Sequence, residues 1–470
     1  MKNGGGRKIV RREIPVKPGQ TCEILIERFG SNAEGVGNIE GFTVFAPGAL
    51  PGEKVRLEIE IVKKNYAVGA VKKRLTESAI RVAPRCPVYA ACGGCQLQHV
   101  SYPAQLELKR RQVSDAIERI GGLKGVSVLP VKGAENPWNY RNKMQFPVSR
   151  EAGEIVIGCF ARGSHTIVDT TDCLIQQAGN NALIAAMREA VRKFDVPVYD
   201  EDRHSGVLRH VMGRVGKNDA LMAVLVTATP ELRRAKEIVG FLRRRLPNLV
   251  SVQQNIQTYH NNVILGRETK LLWGKPMIED AIGRLNFHIS PRSFFQVNTA
   301  QAEVLYRQAL DYAALTGRET VIDAYCGTGT ITLFLAQRAR RAIGIEIVAP
   351  AIRDAQKNAR DNRVKNAEFI TGDATSVMPR LYKDHIRPDV IVIDPPRAGC
   401  APPVLTAMAA MRPRRIVYVS CNPATLGRDL AILTRLGYQT KEVQPVDMFP
   451  MTSHVETVCL LARGEKDAPR

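Results

Sequence analysis

The sequence lacks long apolar stretches. No window reaches the run of about 18 consecutive apolar residues that a membrane-spanning helix requires, and residues 1–6 do not provide the apolar core of a signal peptide. We therefore expect a cytoplasmic protein with no membrane attachment. The 470 residues, 44% of them hydrophobic, predict roughly two to four ordinary folded domains.

Acidic residues are scarce relative to basic ones. The chain has 46 Asp and Glu residues against 67 Lys and Arg residues, and the formal net charge of +21 is spread along its length. Such a surface attracts polyanions, and nucleic acid is the first candidate. An anionic membrane is the alternative, although no amphipathic anchor is present. Residues 1–14 form a Gly-rich basic tail, which either binds phosphates or is simply solvated.

Ten cysteines in a long cytoplasmic chain argue against a disulfide framework and favour metal-binding or catalytic roles. Cys86, Cys92 and Cys95 lie close together with two glycines between them, and Cys173 can supply a fourth thiolate. Four thiolates hold either zinc or an iron–sulfur cluster, and spacing alone does not choose between them. Cys159 lies in an apolar run and is interpreted as a core residue.

Residues 20–73 contain short alternating runs separated by turn signals, a pattern that predicts a small β-barrel. The segments EGVG at 34–37 and PGALPGE at 47–53 resemble those of the TRAM module. The resemblance implies an OB-like barrel that binds RNA. Lysines and an arginine at 63–64 and 72–74 would then lie on its basic face.

The centre of the chain predicts a mixed α+β domain. One amphipathic helix is expected over 102–120, and strands alternate with two helices from 125 to 288. The segment WNYRNK at 138–143 interleaves aromatic and cationic side chains, which suits contact with unpaired RNA bases and phosphates; packing at a strand edge is the alternative. The expected strands are 128–131, 143–148, 221–226 and 249–253.

From about residue 290 the pattern is βαβ. A strand at 321–324 leads into a Gly-rich turn at 327–329 and then a helix, and the turn lacks the third glycine that a dinucleotide site would have. A single acid at a strand end can be a helix cap, but four at successive strand ends predict a ligand edge. At such an edge Glu346 suits ribose hydroxyls and Asp373 suits an adenine amino group. The four acids are Asp323, Glu346, Asp373 and Asp394.

Cys421 follows the apolar run 416–419, which predicts a buried parallel strand, and it precedes a predicted helix. The active sites of open α/β sheets lie at this edge. The residue is either a small buried hydrophobe or a nucleophile whose pKa is lowered by the amides at the start of the helix.

The motifs DPPR at 394–397 and SCNPATL at 420–426 resemble those of class I S-adenosylmethionine methyltransferases and, within that class, the RNA uracil-5-methyltransferases. FFQVN at 294–298 matches the family's entry motif, and the resemblance spans almost the entire chain. It implies that S-adenosylmethionine is the cofactor. The residues it implies as cofactor contacts are Gln296, Tyr325, Thr330, Glu346, Asp373 and Asp394.

The cysteine run at 86–95 and the LQH that follows resemble the [4Fe–4S] site of the same family. By that resemblance, Cys86, Cys92, Cys95 and Cys173 hold an iron–sulfur cluster rather than zinc. The proposed chemistry transfers no electrons, so we expect the cluster to be structural or to orient RNA.

Uracil C5 is a poor nucleophile and needs activation. By resemblance, Cys421 adds to C6 of the ring and Glu456 is the general base that removes the C5 proton after methyl transfer. Arg397 is expected to stabilise the developing enolate or a phosphate. The target nucleotide must be unstacked to expose both faces of its ring.

We thus predict a multidomain α/β protein with an OB-like TRAM barrel at 15–76, a central α+β iron–sulfur domain at 77–288 and a Rossmann-like class I methyltransferase domain at 289–470. The helix at 102–120 is expected to pack on the last of these. The predicted activity is C5 methylation of a uridine in RNA. We expect a monomer, and the sequence implies no protein partner. The barrel, the cluster and the ending at 445–456 resemble those of the family's 23S ribosomal RNA members, and this resemblance implies 23S ribosomal RNA as the substrate.

Three alternatives remain from the sequence. The same chemistry can act on a transfer RNA uridine. The chain can also be an RNA-binding or ribosome-assembly factor without turnover, which intact Cys421 and Glu456 argue against. An amino-methyltransferase of DNA or protein would use the Asp-Pro-Pro segment but would not need Cys421.

Overall fold

The computed structural model describes residues 14–464. Residues 1–13, which hold nearly all of the predicted basic tail, and residues 465–470 lie outside this range. The chain divides into two compact units: one extends to Pro84 and includes Gln96–Ala104, and the other contains Arg85–Cys95 and the chain from Gln105 onward. No helix within residues 14–464 is long and apolar enough to cross a membrane.

The first unit contains a barrel-like sheet, as predicted. Along one strand Val55, Leu57 and Ile59 are buried while the residues between them are not, the two-residue period of a half-buried strand. Gly37 lies where strands approach closely, because a Cβ there would collide with the Leu25 carbonyl oxygen. The strands are β1 (Thr21–Leu25), β2 (Arg28–Phe29), β3 (Gly35–Ile39), β4 (Phe42–Ala46), β5 (Lys54–Val62) and β6 (Tyr66–Arg74). They lie in the order β1-β5-β6-β4-β3-β2.

The helix predicted over 102–120 changes type along its length. It consists of α1 (Tyr102–Asp115) followed by a π-helical turn (Ala116–Ile120). The turn packs against a helix that contains Gly427. The two backbones can approach because both contact positions are glycine: a Cβ on Gly121 would lie 2.8 Å from the Gly427 carbonyl oxygen.

The strand expected at 128–131 belongs to a different sheet from the one predicted. The structure has β7 (Ser127–Val128), which pairs in parallel with Tyr438–Val446 at the edge of the carboxyl-terminal sheet. Leu129 N extends this pairing by donating to Val443 O (2.9 Å). An edge strand leaves backbone groups to be paired, and an apolar pattern alone does not indicate which edge a segment will join.

The middle of the second unit is a mixed sheet with two helices, as expected. Leu183, Met187 and Ala190 are buried at helical spacing and form one apolar face. The elements are β8 (Lys143–Glu151), β9 (Glu154–Phe160), β10 (Ile167–Asp169), α2 (Ala178–Lys193), β11 (Leu208–Val215), β12 (Leu221–Thr227), α3 (Ala235–Arg245), β13 (Leu249–Ile256) and β14 (Glu268–Gly274). They lie in the order β10-β9-β8-β11-β12-β13-β14, with β12 and β13 parallel.

The rest of the second unit is a hairpin followed by a doubly wound sheet. The hairpin side chains Ile278 and Phe287 share a core with Leu305 of the helix that follows. The elements are β15 (Ile278–Ile282), β16 (Leu285–Ile289), α4 (Thr299–Ala313), β17 (Thr320–Ala324), α5 (Thr330–Ala336), β18 (Arg341–Glu346), α6 (Ala349–Asp361), β19 (Ala367–Thr371), α7 (Ala374–Lys383), β20 (Val390–Ile393), α8 (Pro402–Ala410), β21 (Arg415–Ser420), α9 (Pro423–Arg435), β22 (Tyr438–Val446) and β23 (Glu456–Arg463).

The strand order of this sheet, β19-β18-β17-β20-β21-β23-β22-β7, positions the site. The chain proceeds from β17 to β19 on one side and then returns to place β20 and β21 on the other, so the order reverses between β17 and β20. Ligands of open α/β sheets bind in the crevice at such a reversal, outside the carboxyl ends of the strands. Because β23 runs antiparallel to β21, its first residues lie at the same edge.

Candidate active site

Cys421 lies at the carboxyl end of β21, as predicted, in a tightly bonded turn. Ser420 Oγ accepts a hydrogen bond from Asn422 N (3.2 Å), and the Asn422 side chain caps α9 by accepting from Ala424 N (3.0 Å). Thr457 Oγ1 donates to Ser420 O (3.1 Å) from the neighbouring strand. The half-buried thiol is therefore held on a backbone fixed from both sides.

Glu456 is brought to the same place by the pairing of β21 with β23. Ser420 pairs with Thr457, so the next residues along the two antiparallel strands, Cys421 and Glu456, are neighbours at the sheet edge. Burial and the Asp394 carboxylate raise the pKa of Glu456 well above its usual value, opposed by the positive charge of Arg397. A buried carboxyl group with a raised pKa in a crevice is suited to proton transfer.

The predicted lowering of the Cys421 pKa is wrong for the protein without a substrate. Burial, followed by the carboxylates of Glu456 and Asp394, raises this pKa to about 11, although the positive charge of Arg397 opposes the shift. Any lowering of the Cys421 pKa by the start of α9 is thus outweighed by desolvation and by two nearby carboxyl groups. The thiol is protonated at neutral pH, and attack by its sulfur requires a group that accepts the proton.

The loop after β20 completes this edge. Burial raises the pKa of Asp394 to about 6. The Asn422 side chain that caps α9 also donates to Arg397 O (3.0 Å), and Cys400 N donates to the buried Asp429 carboxylate (2.8 Å). The Asp-Pro-Pro-Arg loop and the Ser-Cys-Asn-Pro turn are therefore fastened to each other.

The Gly-rich turn between β17 and α5 adopts a strained conformation. Tyr325 has a φ of 82°, which is unfavourable for an aromatic residue, and Gly327 and Gly329 have φ values of 54° and 83°. A Cβ at Gly329 would lie 2.9 Å from the Phe369 ring. Glu346 accepts a hydrogen bond from Gly327 N (3.2 Å) and so links the ends of β17 and β18. A Cβ on Gly327 would instead meet nothing within 4 Å, so the turn forms a cradle whose backbone is open to a ligand at that residue.

The four predicted acids are not equivalent. Asp323 is buried and accepts from Thr332 Oγ1 (2.6 Å), so it braces α5, and burial raises its pKa to about 7. Asp373 caps α7 by accepting from Thr375 N (2.7 Å). The contact of Asp373 with the adenine amino group remains a prediction, in addition to this capping role. Glu346 and Asp394 lie at the ends of β18 and β20 as expected.

Tyr306 is a site residue that sequence reasoning missed. Its buried hydroxyl lies 3.3 Å from Thr330 Oγ1 and within hydrogen-bonding reach of the Gln296 side chain. The Gln296 backbone is fixed in turn by Asn142 Nδ2, which donates to Gln296 O (3.0 Å). Tyr306 occupies an ordinary apolar position of the amphipathic helix α4, so the sequence carried no signal that its hydroxyl faces two predicted cofactor contacts.

The predicted cluster cysteines converge in the second unit. Electrostatic interaction links Cys86 with Cys92, and Cys173 with both, while Gly94 N donates to Cys92 Sγ (3.3 Å). Cys95 is buried. The segment is held against β9 by Gly93 N, which donates to Phe160 O (2.9 Å).

Cys159 was expected to be a core residue, and it packs partly against the core of the middle sheet. Its thiol also lies beside Cys92, with which it forms a side-chain hydrogen bond. Within residues 14–464, no group of three or more His, Cys, Asp or Glu side chains has a geometry that could hold a metal ion.

Two family models match the chain. Residues 243–464 match tRNA (Uracil-5-)-methyltransferase and residues 15–72 match the TRAM domain. A relative from Clostridium tetani, described as an uncharacterized RNA methyltransferase, is 49% identical over 453 residues, which cover 96% of this chain and 98% of the relative. The chain belongs to the RNA uracil-5-methyltransferase family.

Other comparisons cover nearly the whole methyltransferase. A Bacillus cereus relative with the same description is 47% identical, over 96% of this chain and 98% of its own. Among solved structures, the tRNA (uracil-54, C5)-methyltransferase of Pyrococcus abyssi in complex with S-adenosyl-L-homocysteine is similar with a TM-score of 0.75 and 28% identity. It covers 94% of this chain and 99% of that one. The protein is an S-adenosylmethionine-dependent RNA methyltransferase. The open backbone at Gly327 leaves room for a ligand at the end of β17.

The methyltransferase holds the segment leading to Glu456 with buried polar bonds that the sequence did not reveal. Lys109 Nζ donates to Asp447 Oδ1 (2.6 Å) and to Phe449 O (3.1 Å), and both charged side chains are at most 1% exposed. Tyr140 OH donates to Pro450 O (3.1 Å). These bonds fix the chain between β22 and β23 from α1 and from the segment before β8.

We expect Lys109→Met to destabilise the methyltransferase by ~3–5 kcal/mol, because the change leaves the Asp447 carboxylate buried without its cation. Chemical denaturation of the full chain measures the effect. The matched control is Arg111→Ala on the same helix, which removes an exposed ion pair with Glu107 and should cost less than about 1 kcal/mol. Equal, small losses for the two variants would show that the buried pair is not a structural determinant.

Proposed function

We propose that this methyltransferase methylates C5 of a uridine in RNA with Cys421 as the nucleophile and Glu456 as the general base. The observation that supports this most strongly is the pairing of β21 with β23, which sets the thiol and the buried carboxyl group side by side at the cofactor edge of the sheet. An amino-methyltransferase would have no use for this pair.

The reaction consists of thiol addition, methyl transfer, removal of the C5 proton and elimination of the thiol. The Cys421 thiol loses its proton and its sulfur bonds to uracil C6, which moves the electron pair of the C5–C6 double bond into an enolate whose C5 is nucleophilic. S-adenosylmethionine, when bound, would supply the electrophilic methyl group to C5 and leave as S-adenosylhomocysteine. Glu456 then removes the C5 proton, the double bond forms again and the C6–S bond breaks. The positive charge of Arg397, which acts on both Cys421 and Glu456, is suited to stabilising the enolate.

In this proposal, residues at the carboxyl ends of the strands bind the cofactor. Glu346 would bind the ribose hydroxyls, and Asp373 would accept from the adenine amino group with the carboxylate that also caps α7. Asp394 would face the methyl group or the target base. Gln296, Tyr325 and Thr330 would line the opposite wall, with Tyr306 bracing two of them.

For the cysteines, we propose a [4Fe–4S] cluster held by Cys86, Cys92, Cys95 and Cys173. Support comes from the donor set: Cys86, Cys92 and Cys173 interact electrostatically, Cys95 acts on Cys159 as Cys92 and Cys173 do, and a backbone amide donates to Cys92 Sγ. When bound, the cluster would crosslink residues 86–95 to the segment before α2 without taking part in electron transfer.

We expect anaerobically purified full-length protein to contain ~4 iron and ~4 acid-labile sulfide per chain, and Cys95→Ala to lose both. The matched control is Cys22→Ala, which removes a half-buried thiol of the barrel and should leave the iron content unchanged. The iron and acid-labile sulfide content of the protein and of the two variants is the measurement that tests this prediction. Zinc in stoichiometric amount, or no metal in the unmodified protein, would contradict the cluster.

The proposed substrate is 23S ribosomal RNA, supported by the basic surface and the leading TRAM barrel. A transfer RNA uridine is the second candidate, because the similar Pyrococcus abyssi structure is a tRNA (uracil-54, C5)-methyltransferase. The test is incubation of the protein with S-adenosylmethionine and unmodified transcripts of either RNA, followed by nucleoside analysis. 5-Methyluridine in the ribosomal transcript alone supports the first candidate, and in the transfer RNA alone the second. A product methylated elsewhere than at uracil C5 would overturn both.

A further inference from the structure

Three cations lie together next to the Gln296 segment. Lys143 on β8 pairs directly with Arg214 on β11, so their side chains leave the same face of the sheet. Arg141, two residues before Lys143, lies on that side as well and acts electrostatically on Lys143. The group, here called the cation triad (Arg141, Lys143 and Arg214), was only partly visible in the sequence, because Arg214 is far from the other two along the chain.

The triad has a buried base and a more open rim. Arg214 is 3% exposed, and its Nε finds no hydrogen-bond partner among the described residues. Arg141 and Lys143 are half-buried and can be reached from solvent. Arg141 Nε donates to Lys143 O (3.1 Å), which orients the guanidinium at the rim.

Little negative charge offsets the triad in the described chain. The carboxylate that acts on Arg214 is Asp280, and its oxygens already accept from Thr299 Oγ1 (2.9 Å) and Ala281 N (2.8 Å). Burial and the two arginines lower the pKa of Lys143 to about 7. Concentrating like charges at low dielectric is costly, so the arrangement favours a bound anion.

The triad is fixed to the methyl-transfer site. Arg214 donates to Ser293 O, and Asn142, between the two rim cations, donates to Val297 O (2.8 Å) and Gln296 O (3.0 Å). An anion on the triad would therefore lie beside the segment that carries Gln296, one of the proposed cofactor contacts.

We infer that the cation triad binds a backbone phosphate of the substrate RNA and so positions the unstacked nucleotide at the methyl-transfer site. This inference rests on the proposed function. The cofactor is the less suitable occupant, because its amino and carboxylate groups cancel and its sulfonium leaves it cationic. A phosphate offers several oxygens, which suit two guanidinium groups and one ammonium.

The test is binding of oligouridylate RNA to the full-length protein in the presence of S-adenosylhomocysteine, titrated at several salt concentrations. Lys143→Gln should weaken binding about tenfold at low salt and reduce the slope of log Kd against log salt by about 0.7, as loss of one phosphate contact on a single strand does. The charge-matched control is Lys236→Gln, an exposed lysine on α3, which should leave that slope unchanged.

Arg214→Lys and Arg141→Gln extend the test. Arg214→Lys keeps the charge but loses the forked donor, so it should weaken RNA binding with little change in salt slope. Arg141→Gln repeats the test at the rim, so the inference remains falsifiable where one variant folds poorly, as judged by its affinity for S-adenosylhomocysteine.

Two results would overturn the inference. One is a salt slope for Lys143→Gln and Arg141→Gln equal to that of Lys236→Gln. The other is weakened S-adenosylhomocysteine binding with unchanged RNA binding, which would assign the triad to the cofactor carboxylate. Because the assay contains no methyl donor, either result is independent of whether uracil C5 is the site of methylation.

Discussion

Replacement of Cys421 with alanine is expected to lower 5-methyluridine formation by at least about 10⁴-fold, since loss of a covalent nucleophile removes the path that activates C5. Cofactor binding should be unchanged, because the thiol lies at the end of β21 and the glycine cradle follows β17. Nucleoside analysis of the RNA product and the affinity for S-adenosylhomocysteine measure the two effects.

A buried cysteine of the same sheet provides the control for this variant. Cys459 on β23 is fully buried, and Cys459→Ala should lose stability while retaining turnover. If Cys421→Ala methylates RNA at a rate comparable to Cys459→Ala, the thiol is not the nucleophile, and a direct transfer to nitrogen becomes the better account.

The raised pKa of Cys421 predicts the pH dependence of the same step. The thiolate is the reactive form, and its fraction in the free protein rises about tenfold per pH unit below the pKa of about 11. We therefore expect kcat/KM to increase with pH through the neutral range. An activity that falls steadily over this range would contradict attack by this thiol.

Glu456→Gln is expected to slow the reaction after methyl transfer. Glutamine has nearly the same shape but cannot take the C5 proton, so the C6–S bond breaks slowly and a methylated protein–RNA adduct should accumulate. Turnover should fall by about 10²–10⁴-fold, the usual contribution of a general base. With a radiolabelled methyl donor, the label should migrate with the protein on a denaturing gel.

The double variant separates the roles of the two residues. Cys421→Ala combined with Glu456→Gln should form no adduct. The adduct that accumulates in Glu456→Gln is held by the C6–S bond, and this bond requires the Cys421 sulfur. Free, labelled RNA and no adduct from Glu456→Gln alone would show that another group removes the proton.

The sequence predicts the elements that a repeating pattern encodes. The run at 416–419 and the acids after Ile345 and Ile393 place Cys421, Glu346 and Asp394 at strand ends, and the structure has them there. Alternation likewise predicts the barrel strands. These features depend on neighbours in the chain, which is why a sequence alone can reveal them.

Features that depend on distant neighbours were not predictable. The Lys109–Asp447 pair joins residues 338 positions apart, and neither side chain differs in sequence from a surface charge. The rise in the Cys421 pKa comes first from burial and then from Glu456 and Asp394, and these conditions arise only when β20, β21 and β23 assemble. The strand at Ser127–Val128 joined a sheet that its own residues do not specify.

The most direct measurement of the central claim is to incubate the anaerobically purified protein with S-adenosylmethionine and RNA containing 5-fluorouridine. Fluorine at C5 cannot be removed as a proton, so the covalent intermediate should persist. The account predicts a denaturation-resistant protein–RNA adduct whose peptide maps to Cys421 and whose RNA position identifies the target uridine. Cofactor binding without any adduct, on ribosomal and transfer RNA alike, would contradict the covalent mechanism.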